Sequence, residues 1–143
     1  SSDVCSSDLP FGIGINPLTN GIYVANSNTN NVSIIDGASN TVIATLTAGS
    51  LPRGVDVNPT TNRIYVTNIN NNNVSVIDGA SNTVIATVPV GNSPSGIGVD
   101  SLTNEIYVAN VFSNNVSVIS GFSNTVIATV TVGTTPFGIG VNP

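Results

Sequence analysis

The chain has 143 residues, a formal net charge of −5, 6% charged and 40% hydrophobic residues, and no histidine. Its only cations are Arg53 and Arg63, which argues against a nucleic-acid partner or an anionic membrane surface, since both are held by Lys and Arg. No apolar run approaches the ~20 residues of a membrane-spanning helix, and abundant Val, Ile and Thr set among Asn- and Ser-rich turns predict an all-β core.

In chain order, the first segment stands apart. Asp3 to Leu9 reads DVCSSDL, which resembles the translation of a sequencing-library adapter, so residues 1–9 are expected to be a non-native leader and are set aside from the fold. The single cysteine, Cys5, falls in that leader and says nothing about redox compartment.

From Pro10 the chain repeats itself. Pro10, Pro52, Pro94 and Pro136 are 42 residues apart, as are Tyr23, Tyr65 and Tyr107, with no insertion or deletion. The repeat gives units at 10–51, 52–93 and 94–135, while 136–143 begins a fourth and its end inside a repeat is expected to be a truncation. Within the first unit, Asn/Gly/Pro turns separate four short apolar runs: Phe11 to Ile15, Ile22 to Ala25, Val32 to Ile35 and Val42 to Leu46. Short β-branched runs between turn clusters predict strands. Four antiparallel strands per repeat of ~40–45 residues predict a propeller blade. The expected fold is therefore a β-propeller fragment of three four-stranded antiparallel blades plus the first strand of a fourth. Consecutive apolar pairs such as Ile34-Ile35 and Val42-Ile43 fit sheets packed on both faces. Gly12, Gly14, Gly54, Gly96, Gly98, Gly138 and Gly140 mark the first strand as the crowded one nearest the axis. Three blades do not close a ring, so the outer faces of the first and third are expected to expose apolar surface and promote self-association.

The segments Ile-Tyr-Val-Ala-Asn at 22–26, Ile-Tyr-Val-Thr-Asn at 64–68 and Ile-Tyr-Val-Ala-Asn at 106–110, with the flanking NPLTN, NNVSVIDG and NTVIATVPVG, resemble the YVTN-type β-propeller repeat family across residues 10–143. The resemblance implies a propeller, most often seven-bladed, in exported or surface-layer proteins, hence an extracellular, cell-surface or periplasmic location. Related propellers include lactonase-like enzymes and domains of haem or copper enzymes, so the resemblance implies no single activity.

Alternating strand direction places the second-to-third-strand loops and the blade-to-blade loops on one face. The former vary between units: Ser27-Asn28-Thr29-Asn30, Ile69-Asn70-Asn71-Asn72 and Val111-Phe112-Ser113-Asn114. Varying loops on a repeated scaffold point to a contact rim, with Ile69, Asn70, Val111 and Phe112 as candidates and Ile69, Val111 and Phe112 expected to be exposed. Neutral variation in unconstrained loops is the plain alternative. Arg53 and Asp56 break the inner-strand pattern and suggest a polar pair at the channel mouth that orients a small ligand; a local salt bridge, or Asp56 facing channel water, is the plainer and favoured account.

The Asn26-x-Asn28-x-Asn30 spacing lacks the carboxylates of a calcium loop, so the Asn clusters are expected to be left-handed turns. The Asn-Val-Ser sequences at Asn31, Asn73 and Asn115 match a glycosylation acceptor, yet their 42-residue recurrence is explained by the shared turn. Asp36 and Asp78 are expected to bond their own turns. With no histidine or lysine to activate a nucleophile, no catalytic residue, metal site or cofactor is expected. The expected role is a non-enzymatic surface or secreted scaffold for a protein or glycan. The alternative is part of a lactonase-like or other channel-site enzyme whose catalytic residues lie in further blades.

Overall fold

The computed structural model describes residues 9–143, so the expected leader, Leu9 excepted, lies outside the described residues together with Cys5. The described residues form twelve strands and no helix. Blade 1 holds β1 (Pro10–Asn16), β2 (Gly21–Asn26), β3 (Asn31–Asp36) and β4 (Thr41–Thr47). Blade 2 holds β5 (Pro52–Asn58), β6 (Arg63–Asn68), β7 (Asn73–Asp78) and β8 (Thr83–Pro89). Blade 3 holds β9 (Pro94–Asp100), β10 (Glu105–Asn110), β11 (Asn115–Ser120) and β12 (Thr125–Thr131). Each sheet is an antiparallel meander whose strands neighbour one another in sequence order.

Turn chemistry fixes these boundaries. Every four-residue hairpin turn ends on an Asn with positive φ, from Asn20, Asn30 and Asn40 in blade 1 to Asn104, Asn114 and Asn124 in blade 3. Asn tolerates that left-handed backbone better than other residues with a Cβ. The blade-to-blade turns adopt the same conformation at Leu51, Ser93 and Thr135. A register shift recurs at the start of each inner strand, between Pro10 and Ile13 and again between Pro52 and Val55.

The cores lie between blades. Tyr23, Ala25, Val32 and Ile34 of blade 1 pack with Val55, Val57, Ile64, Val66 and Ile77 of blade 2. Tyr65, Val74, Val76 and Val88 of blade 2 pack with Ile106, Val108 and Ile119 of blade 3. Strand β6 therefore faces two ways: Ile64 and Val66 enter the first core and Tyr65 the second. The alternation of a strand supplies one apolar set to each neighbour, and all three side chains are fully buried.

Inner strands approach one another so closely that side chains must be absent. A Cβ on Gly12 would overlap the Arg53 carbonyl oxygen, one on Gly54 that of Ser95, and one on Gly96 that of Phe137. The crowding expected at the axis is thus backbone of the next blade, 41 residues further along.

Residues 136–143 form no ladder. They nevertheless lie on β9 as β5 lies on β1: a Cβ on Gly98 would come within 2.7 Å of Ile139 and 2.8 Å of Val141, as one on Gly14 would come within 2.8 Å of Val55 and 3.1 Å of Val57.

Candidate functional site

The two loop faces are held by different hydrogen bonds. On one, buried side-chain amides join blades: Asn16 Nδ2 donates to Asn62 Oδ1 and Asn58 Nδ2 to Asn104 Oδ1, each at 2.8 Å. Asn16 and Asn58 also accept from their own turns, through the Leu18 and Thr60 amides.

The opposite face carries the varying loops, and hydrogen bonds tie each of them to a neighbouring turn. The Ile69 and Val111 amides donate to the Leu51 and Ser93 carbonyls of the preceding blade-to-blade turns, each at 3.1 Å. The Ser27 amide donates to Leu9 in the same way, so Leu9, placed with the leader by sequence, fills the position of Leu51 and Ser93. Asn30, Asn72 and Asn114 accept the amides of Leu51, Ser93 and Thr135 at 2.9 Å. The Phe112 amide donates to Asn92, whose own amide donates to Ser113 Oγ at 2.8 Å.

These bonds correct one expectation. Ile69 and Val111 are half-buried, each with its amide on the neighbouring blade-to-blade turn. Phe112 alone stands out, with 73% of its surface exposed, while Asn70 is exposed and bonds Ser50. Asn31, Asn73 and Asn115 each accept from the Asn that ends the preceding strand, Asn26, Asn68 or Asn110, at 2.8 Å. The same donor also reaches the Ser of the Asn-Val-Ser sequence, so each of these sequences is tied up in a strand-end cluster.

At the axial mouth the charged residues part company. The Arg53 guanidinium lies over the Phe11 ring, 3.9 Å from its centroid, and 4.8 Å from that of Phe137, which is cation–π geometry. Asp56 turns between the inner strands and accepts the Val99 amide at 2.7 Å. The two form no ion pair with each other among the described residues; the ion pair present is Arg63 with Asp78. Phe11, Arg53, Ser95 and Phe137 occupy one repeat position, and inner strands stacked blade on blade bring that column together, whereas Arg53 and Asp56 leave the strand in different directions.

The carboxylates serve turns. The Ser39 hydroxyl, then its amide, hold the Asp36 carboxyl below the usual range, and the Ser81 hydroxyl does the same for Asp78. A lowered folded-state value stabilises above the unfolded carboxylate pKa near ~3.9 and loses that contribution as pH falls through the folded one. Thermal midpoints are therefore expected to drop below about pH 4, and Ser39→Ala with Ser81→Ala to flatten that decline; an unchanged acid limb in calorimetry would refute the assignment. Burial raises the Tyr23 and Tyr65 phenols, and a hydrogen bond to Glu105 raises Tyr107. No group of three or more His, Cys, Asp or Glu side chains suited to a metal occurs among the described residues.

The sequence profile of the YNCE-like β-propeller family matches residues 17–105, spanning more than half of the chain. The chain belongs to this family. Its blades superpose on a chain of Kuenenia stuttgartiensis hydrazine synthase with a TM-score of 0.85 and 25% identity, covering 90% of this chain and 38% of that one. They also superpose on a functionally unknown protein from Desulfotomaculum acetoxidans DSM 771, with a TM-score of 0.80, 19% identity, and coverage of 93% and 45%. No curated protein matches the sequence. The YNCE-like blades thus span less than half of either solved chain, and among the described residues no helix is long and apolar enough to cross a membrane.

Proposed function

We propose that these YNCE-like blades are a non-enzymatic binding scaffold, exported or at the cell surface, that presents its varying loop rim to a glycan or protein. The observation that carries this reading is Phe112, an exposed ring on a loop whose backbone is pinned at Val111, Phe112 and Ser113. A ring held in place by its loop offers contact area at little ordering cost, and the surrounding Asn and Ser side chains supply neutral hydrogen bonding. Neutral glycans, which combine apolar sugar faces with hydroxyls, match that surface. The test is a neutral-glycan array, followed by titration of the best ligand against Phe112→Ala. At least tenfold weaker binding with an unchanged circular dichroism spectrum is expected; equal binding by the variant moves the site off this rim, and an empty array directs the search to a protein.

The similarity to hydrazine synthase favours a second reading, in which such blades form part of the propeller of a larger enzyme. Inner-strand His, Glu or Asp in further blades, or Cys and Met ligands for a redox centre, would carry it.

A further inference from the structure

The two junctions between blades carry the same polar residues but are closed differently. At the first, Ser75 accepts from Asn68 Nδ2 at 2.9 Å and donates to the Ala48 carbonyl at 2.8 Å, which fastens the linker leaving blade 1 onto β7. At the second, the equivalent Ser117 accepts from Asn110 Nδ2 at 2.9 Å but, among the described residues, donates to no protein group. Val90 stands where the first linker has Ala48, and its amide donates to Asn72 of its own blade at 3.0 Å. Between this second linker and strands β11 and β12 lies a cleft of about 310 Å³, lined by Pro89, Val90, Asn115, Ser117, Val126 and Thr129 among others. Blades 2 and 3 and the linker between them supply every wall.

The hydrogen-bond polarity of the cleft is fixed from beneath. Asn110 Nδ2 gives its hydrogens to Asn115 Oδ1 and Ser117 Oγ, so Asn115 keeps both amide hydrogens and Ser117 its hydroxyl hydrogen for another acceptor. Ser117 is only 3% exposed, and a buried donor left without an acceptor is costly. No charged side chain lines the cleft, which disfavours an ionic guest, since a buried charge needs a partner. We propose that this cleft binds a single neutral sugar ring, whose oxygens accept from Ser117, Asn115 and Thr129 while its C–H face rests on Pro89, Val90 and Val126. The volume lies at the lower end of the ~300–1,000 Å³ of small-molecule pockets. The assignment does not rest on the Phe112 reading, because that ring lines no part of the cleft.

The test is titration of the ¹⁵N-labelled chain with methyl glucoside and methyl galactoside to tens of millimolar, with acetate as an anionic control. At least one sugar is expected to shift the Asn115 side-chain amide and Ser117 backbone signals while leaving Asn73 and Ser75, their equivalents at the first junction, unmoved. Ser117→Ala is expected to weaken that binding about fivefold, the worth of one hydrogen bond, whereas Ser75→Ala and Phe112→Ala leave it unchanged. If Ser117→Ala fails to fold, Thr129→Val, at an exposed position, carries the same expectation. Shifts confined to the Phe112 loop would support the rim and overturn the cleft. Shifts with acetate but with neither sugar, equal shifts at both junctions, or none at all also overturn it.

Discussion

Gly54→Ala is expected to destabilise the protein by about 3 kcal/mol or more, at the upper end of the cost of overpacking a tight site. The new methyl would overlap the Ser95 carbonyl oxygen, with Ile97 Cγ2 and Thr67 Oγ1 each 3.1 Å away. A side chain in the way can change rotamer; a carbonyl in the adjoining strand moves only with its backbone. That backbone is fixed, because Thr67 Oγ1 accepts the Gly54 amide at 2.8 Å and donates to the same Ser95 oxygen at 2.9 Å. Such a loss is a large part of the ~5–15 kcal/mol that holds a typical domain folded. The internal control is Gly138→Ala at the equivalent position, where nothing lies within 4 Å of the added carbon. That change is expected to be neutral, or to stabilise by up to about 1 kcal/mol through the unfolded chain. Urea unfolding of both variants checks the contrast, and similar losses at the two sites would show that the glycines do not serve blade contact.

Asn104→Ala is the second change with a large expected effect, again about 3 kcal/mol. Two independent terms add. Asn104 sits at φ 56°, where a residue with a Cβ pays roughly 1–2 kcal/mol and Asn is eased by its short polar side chain. Its Oδ1 is also the acceptor for buried Asn58 Nδ2, and stranding that donor costs about 1–3 kcal/mol. Asn104→Gly separates them, since glycine restores the backbone freedom but not the acceptor. The glycine variant is expected to recover the conformational share only; equal losses for the two variants in chemical denaturation would show that the left-handed turn carries no cost there.

Much of this was legible in the sequence because the repeat is exact in length. The Ile-Tyr-Val runs, the Asn that closes each hairpin and the spacing of 42 mark the strands to within one or two residues, and the Asp36 and Asp78 turns behave as their Asp-Gly sequences suggest. The axial mouth was harder to read. Arg53 and Asp56 are close in sequence and opposite in charge, which invites a pair. In a propeller, however, the relevant neighbour of an inner-strand residue lies one or more blades away, and Arg53 finds Phe11 and Phe137, at intervals of 42 and 84 residues. Reading down the repeat column instead of along the strand would have raised that contact. Ile69 and Val111 misled for a related reason, since loop variability alone does not show which side chains lie against the adjoining turn and which, like Phe112, stand clear of it.

The shared cores bear on how the protein comes apart. Because β6 gives Ile64 and Val66 to one cluster and Tyr65 to the other, no blade owns a complete interior, and detaching one strips half of its neighbour. Stability in such an array resides in the junctions more than in the units, as in a one-dimensional chain of coupled elements. Blade 2, with a junction on each side, is the element whose opening requires both to fail.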